Sequence, residues 1–229
     1  MKIYLVLAAT IVLFSLPCIA QDGLNDKDKQ AEYNKTIDTR AQKIVATLGI
    51  TQAPKATLVK NMIVSQYKNL NTIYLLRDQQ IKAVKENQVS SNKDSVNACI
   101  NKIKEEATAQ ISILHKKYIA QLSGKLTPTQ VDQVKDGMTY NVLHVTYNGY
   151  NQMIRTLTVE QQKQIMTWLI EARELAMDAE SSEKKHGVFG KYKGRINNYL
   201  SAAGYDLRKE GDDWQVRIKE AAEKKKSGE

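Results

Sequence analysis

Apolar residues recur along this chain at steps of three, four and seven, the spacing that gathers side chains onto one face of an α-helix. From Leu58 to Asn87 the stripe reads Val59, Ile63, Tyr67, Leu70, Tyr74, Ile81 and Val84, with Arg77 as its polar interruption. From Lys93 to Gly124 it reads Val96, Ile100, Ile103, Ala107, Ile111, Leu114, Tyr118 and Leu122. Two such helices, separated by the polar stretch Asn87 to Asn92, are predicted to pair antiparallel. Gly124 is placed to end the second in the left-handed conformation that glycine adopts freely. Three prolines and eleven glycines leave little punctuation, and long strand-like alternation is missing. The expected fold class is therefore all-α: a single-domain multi-helix bundle with long antiparallel helices.

Helix starts are written into the sequence as well. In Leu126-Thr127-Pro128-Thr129-Gln130, Thr127 suits the N-cap and Pro128 the first helical position. Gln130 can return its amide to the cap, and Leu126 with Val131 forms a hydrophobic staple. Leu157-Thr158-Val159-Glu160-Gln161 repeats the pattern, and Ile50-Thr51-Gln52-Ala53-Pro54 is a weaker copy. After Thr158 an amphipathic helix runs through Ile165, Trp168, Leu169, Ala172, Leu175 and Ala179 to the polar stretch Glu180 to Glu183. A further helix is predicted over Phe189 to Ala203, ending at Gly204, and a last one from Asp212 or Asp213. Tyr140, Val142, Val145, Thr146 and Tyr147 make Thr139 to Tyr147 read as an extended connection, with Thr146 able to cap a short helix onward.

The first twenty residues change the picture of where this bundle resides. Lys2 precedes an apolar run from Ile3 to Leu16, shorter than the roughly 20 residues of a spanning helix. With Cys18-Ile19-Ala20 it reads as a secretory signal cleaved before Gln21. The expected organisation is a signal peptide over 1–20 and one helical domain over 21–229, with flexible ends at 21–27 and 224–229. A lipid anchor on Cys18 is the rival processing. Periplasmic or secreted localisation follows, without stable membrane insertion after cleavage. Cleavage leaves Cys99 alone, so packing rather than a disulfide must hold the domain. Cys99 falls beside Val96 and Ile103 on the stripe and is expected to be buried.

Lys and Arg number 34 against 25 Asp and Glu, a formal charge of +9. Acidic partners are favoured by that balance. An exported chain without a helix-turn-helix, zinc-finger or RNP pattern is not expected to bind nucleic acid, which leaves an anionic polysaccharide or the cell envelope. No metal site or cofactor is expected. His115, His144 and His186 lack partners at metal spacing, and CxxC, GxSxG and P-loop patterns are missing. His115, beside Lys116 and Lys117, reads as plain surface, and His144 as packed near Tyr140 and Tyr147.

Polar density concentrates in Glu171-Ala172-Arg173-Glu174-Leu175-Ala176-Met177-Asp178-Ala179 and in Phe189-Gly190-Lys191-Tyr192-Lys193-Gly194-Arg195-Ile196-Asn197-Asn198-Tyr199-Leu200. With Gly204-Tyr205-Asp206, Gly137 to Tyr140 and Thr146-Tyr147, these strings resemble the Bacteroidota secreted family labelled domain of unknown function 3826. The resemblance covers nearly the whole mature chain and implies a sugar-binding protein of polysaccharide-utilising bacteria, with no catalytic residues to carry over.

A helix over Phe189 to Leu200 would put Phe189, Tyr192, Ile196 and Tyr199 on its core face. Gly190 and Gly194 would leave a smooth strip for close approach. Arg195 can hold a carboxylate bidentately, Lys191 and Lys193 add charge, and Asn197 and Asn198 offer donors and acceptors suited to sugar hydroxyls. The candidate ligand-binding set is Arg173, Asp178, His186, Lys191, Lys193, Arg195, Asn197, Asn198 and Tyr205. Two uses of these charges stay open: contact with an acidic carbohydrate, or pairing of Arg195 and Lys191 with Glu171, Glu174 or Asp178. Beside a binding module stand three other functions: a Spy-like periplasmic chaperone, a lyase using Lys or Tyr as base with Arg195 neutralising a uronate, and a structural envelope protein.

Overall fold

The computed structural model describes residues 20–87 and 92–227. The predicted leader with Cys18, and 88–91 of the predicted turn, lie outside the described residues. The chain parts into two compact units, 1–37 and 38–229. Of the first, the described part is the leading portion of α1 (Ala20–Ala46). The second holds the rest of α1 and seven further helices: α2 (Ala53–Glu86), α3 (Lys93–Ser123), α4 (Pro128–Met138), α5 (Val142–Met153), α6 (Val159–Met177), α7 (Ser182–Ala202) and α8 (Leu207–Ser227). No strand occurs among the described residues, and the protein is all-α.

The two long stripes become α2 and α3, antiparallel, with residues 58–69 of α2 beside the end of α3 and the two residues that follow it, 114–125. Val59, Ile63, Tyr67 and Leu70 on α2 are buried, as are Val96, Ala107, Tyr118 and Leu122 on α3. Toward the turn the seam thins, and Ile81 and Val84 are only half-buried. Cys99 is exposed rather than buried. With one helix for a neighbour there, only the narrow line of residues on the seam is covered, and Cys99 lies on its flank.

Both strong capping boxes form. The Thr127 hydroxyl accepts from Gln130 N–H at 3.2 Å while Thr127 N–H donates to Gln130 Oε1 at 3.1 Å, and Thr158 with Gln161 does the same at 3.2 and 2.9 Å. The weaker copy does not: Gln52 caps α2 without a side-chain bond. Gly204 has φ 95°, as a helix-ending glycine should, but Gly124 remains right-handed at φ −73°. There the chain tightens into a turn, Leu126 N–H donating to Leu122 O at 2.8 Å, and no left-handed residue is needed.

Thr139 to Tyr147 is where the expected extended connection fails. The chain reverses in two residues, Tyr140 and Asn141, and Val142 already begins α5. Its β-branched residues carry only a weak preference against helix, and Leu143 and Tyr150, seven apart, are both buried in the core with Ile165, Leu169, Phe189 and Ile196. Packing of that face outweighs local propensity. Likewise α7 begins at Ser182 rather than Phe189, capped by Ser181, whose hydroxyl accepts from Lys184 N–H at 3.1 Å, and α8 begins at Leu207 rather than near Asp212. Asp206 Oδ1 receives the Arg208 and Lys209 N–H groups, both at 3.1 Å, so the cap falls five or more residues earlier than the Asp212 pattern suggested.

Candidate functional site

The inner face of α6 is apolar, and Arg173 and Glu174 emerge on the flank that meets α4, where Asp132 stands one turn before Lys135 and Asp136. Arg173 reaches both carboxylates, with Nη1 2.8 Å from Asp136 Oδ1 and Nη2 2.6 Å from Asp132 Oδ1. Its side chain is 7% exposed. Burial would depress the guanidinium, but the hydrogen bond and charge of Asp136, followed by those of Asp132, outweigh it and raise its pKa. Lys135 Nζ lies 2.9 Å from Glu174, and His144 Nε2 lies 2.9 Å from Asp136 Oδ2, so His144 is a half-exposed hydrogen-bond partner on the rim rather than a ring packed among tyrosines.

One turn further along α6, Asp178 is buried at the C-cap. His115 Nδ1 is 2.6 Å from its Oδ2, and His115 Nε2 is 3.6 Å from Glu174. This corrects the plain-surface reading of His115: the α2–α3 hairpin carries it against α6. The hydrogen bond to Asp178 raises the imidazole pKa despite burial, with the Asp178 and Glu174 charges adding. Tyr74 donates to Asp178 O at 2.8 Å, and burial, helped by Glu180 and Asp178, pushes its phenol up to about 12. Lys185, buried on α7, donates to the carbonyls of Ala176 and Met177 at 2.9 and 2.7 Å. A cation there offsets the negative end of the α6 dipole. Burial pushes the ammonium down to about 8; Arg40 adds to the fall and Asp178 opposes it.

The α4–α5 reversal frames the edge of this network. Tyr140 and Asn141 have φ of 57° and 58°, a conformation costing side-chain-bearing residues roughly 1–2 kcal/mol each. Strain of that kind clusters at functional positions. Exposed Tyr140 stacks on His186 with ring centroids 5.6 Å apart, and the Arg40 guanidinium is 5.7 Å from the same ring.

The rest of the expected site lies elsewhere on α7. Arg195 is 54% exposed, 3.5 Å from Glu171, and its guanidinium rests over Trp168 at 5.4 Å and Tyr192 at 5.5 Å. With Lys191 and Tyr192 it lines a depression of about 250 Å³. Gly187, Gly190 and Gly194 point away from the buried Phe189, Ile196 and Leu200, and the space beside each is open. Asn198 is exposed on the same side. Asn197 lies toward α5, where its Oδ1 accepts from Tyr150 at 2.6 Å, and the Lys193 carbonyl lies 3.3 Å from the same hydroxyl. The Tyr205 hydroxyl is 2.9 Å from Gln161 Oε1 and 3.0 Å from Thr156 O, pinning the α7–α8 link to the α6 cap.

The nine expected residues thus divide. Arg173 and Asp178 serve the buried network, His186 lies at its rim, Lys191, Arg195 and Asn198 share the outer face, and Lys193, Asn197 and Tyr205 do not converge with either. Sequence reasoning missed Arg40, His115, Asp136 and Tyr140, whose partners Tyr140, Asp178, Arg173 and His186 are remote in the chain, and Lys185, which bonds backbone carbonyls across the α6–α7 link; the alternation of charge on Asp132, Lys135 and Asp136 was the one local sign. Among the described residues no cluster of His, Cys, Asp and Glu is placed to hold a metal ion. No curated protein matches this sequence. The family described as "Protein of unknown function (DUF3826)" matches residues 34–220, and the chain belongs to that family.

Proposed function

We propose that this protein is an exported carbohydrate-binding protein that holds an acidic sugar on the outer face of α7. The observation that carries the reading is Arg195, whose guanidinium is braced over Trp168 and Tyr192, beside Lys191, with more than half of its side chain in solvent. A single 3.5 Å contact to exposed Glu171 leaves most of its donors available for a uronate carboxylate. The glycine face supports close approach: each glycine inside a helix costs about 1 kcal/mol relative to alanine, and no core packing at Gly187, Gly190 or Gly194 explains that cost. Export rests on the leader pattern, and no described helix is long and apolar enough to cross a membrane.

Titration calorimetry of the mature protein with an oligouronate tests this. A charge-assisted bond contributes roughly 1.5–3 kcal/mol, so Arg195→Ala should weaken binding about tenfold or more. No saturable binding, or an unchanged affinity in the folded variant, refutes it.

A further inference from the structure

We propose that the groove between the amino-terminal half of α2 and the carboxy-terminal half of α3 is a second binding site, for an extended acidic peptide segment. Antiparallel helices normally interdigitate along their seam; here a groove of about 640 Å³ opens beside it. That is within the size range of ligand sites, roughly 300–1,000 Å³. It is separate from the α7 face and goes beyond the carbohydrate reading.

Three features specify the occupant. Lys117 and Lys125 line the groove, no acidic residue does, and neither lysine forms an ion pair among the described residues. An anionic partner is therefore complementary. Gln66, 2% exposed, also lines it and donates its amide to Asp178 Oδ1 at 3.4 Å. Asn69 and Gln121 add planar carboxamides that match the donor and acceptor pair of a peptide unit. The apolar part of the wall is Leu58, Met62, Leu114 and Ala120, aliphatic and thioether groups of which the flexible Met62 adapts to varied side chains. Tyr118, the aromatic residue of the lining, is 2% exposed and offers no ring face on which a sugar could stack. These features favour peptide over glycan.

The test uses the mature chain and a fluorescein-labelled hexapeptide of alternating Glu and Leu, followed by anisotropy at low and moderate salt. Saturable binding is expected, weakening with salt, absent for the peptide with Lys in place of Glu, and reduced at least tenfold by Lys117→Glu combined with Lys125→Glu. Because a charge-reversed groove could perturb the fold, a second readout uses the unmodified chain: in a methionine-methyl NMR spectrum, Met62 should shift on peptide addition. Absence of saturable binding, equal binding by the charge-reversed protein, or a Met62 signal unmoved by saturating peptide overturns the proposal. So does displacement of the peptide by an oligouronate, which would make the groove a glycan site. Peptide is read at Met62 and uronate through Arg195, so either proposal can fail alone.

Discussion

Arg173 on α6 and Arg195 on α7 come from the same polar stretch of sequence, and the fold uses them in opposite ways. Arg173 is enclosed, with two carboxylates of α4 within 2.8 Å. Arg195 stands in solvent on a bed of aromatic rings, with one marginal carboxylate contact. The difference lies in what each helix faces. The flank of α6 that carries Arg173 meets another helix bearing acids at matching heights, so the pairing is structural. The flank of α7 that carries Arg195 meets Trp168 and Glu171 of α6, where the one carboxylate is itself half exposed and 3.5 Å away, so the guanidinium stays largely in solvent. Residue type and local spacing are alike in the two cases; helix packing alone separates a structural charge from a candidate binding charge.

The contrast is open to direct attack. Arg173→Leu should be the most damaging change, because it removes the buried guanidinium from the half-buried Asp136 and leaves that carboxylate with only His144; breaking a buried pair costs about 3–5 kcal/mol. Chemical denaturation would read it, and a loss below about 1 kcal/mol would place Arg173 in the same class as Arg195. Gly137→Ala follows, since a methyl there would come 2.6 Å from Ile44 Cγ1 under the α4–α5 reversal. Overpacking of this kind costs about 1–3 kcal/mol, and an unchanged melting temperature would show that Ile44 yields freely.

The network also predicts a pH dependence that the α7 face does not. His115 has a raised pKa in the folded protein, so the folded state binds its proton more tightly than the unfolded state does. Its contribution is fully present below the unfolded value of about 6.5 and is lost as pH rises through the folded value. The stability difference between the protein and His115→Asn should shrink over that range, and a difference that is flat with pH would remove His115 from the network. Arg195→Ala should have the smallest effect on stability, under about 1 kcal/mol as for exposed pairs, while oligouronate binding falls. A large thermal destabilisation would return Arg195 to a structural role.

Much of the architecture was legible one residue at a time. The stripes of α2 and α3 and the boxes at Thr127 and Thr158 depend on spacing of three or four residues, and helix geometry turns such spacing directly into contact. The site was legible only in composition. Arg173, Asp178 and His186 stood out in the sequence only by residue type, and nothing near them in the chain announces Asp136, His115 or Tyr140 as their partners. Tyr140 and Asn141 are harder still, because their left-handed backbone opposes local preference and is held by surrounding packing.

Sequence by itself determined the all-α class, the long hairpin, the two capped helix starts and the concentration of polar chemistry between Glu171 and Asp206. Tertiary structure decided which of those charges are enclosed, that Cys99 and Arg195 face solvent while His115 does not, and that a groove opens between α2 and α3. The physical reason is range. Helical periodicity and capping act within a turn or two of the chain, whereas desolvation and ion pairing depend on which distant helix is brought alongside.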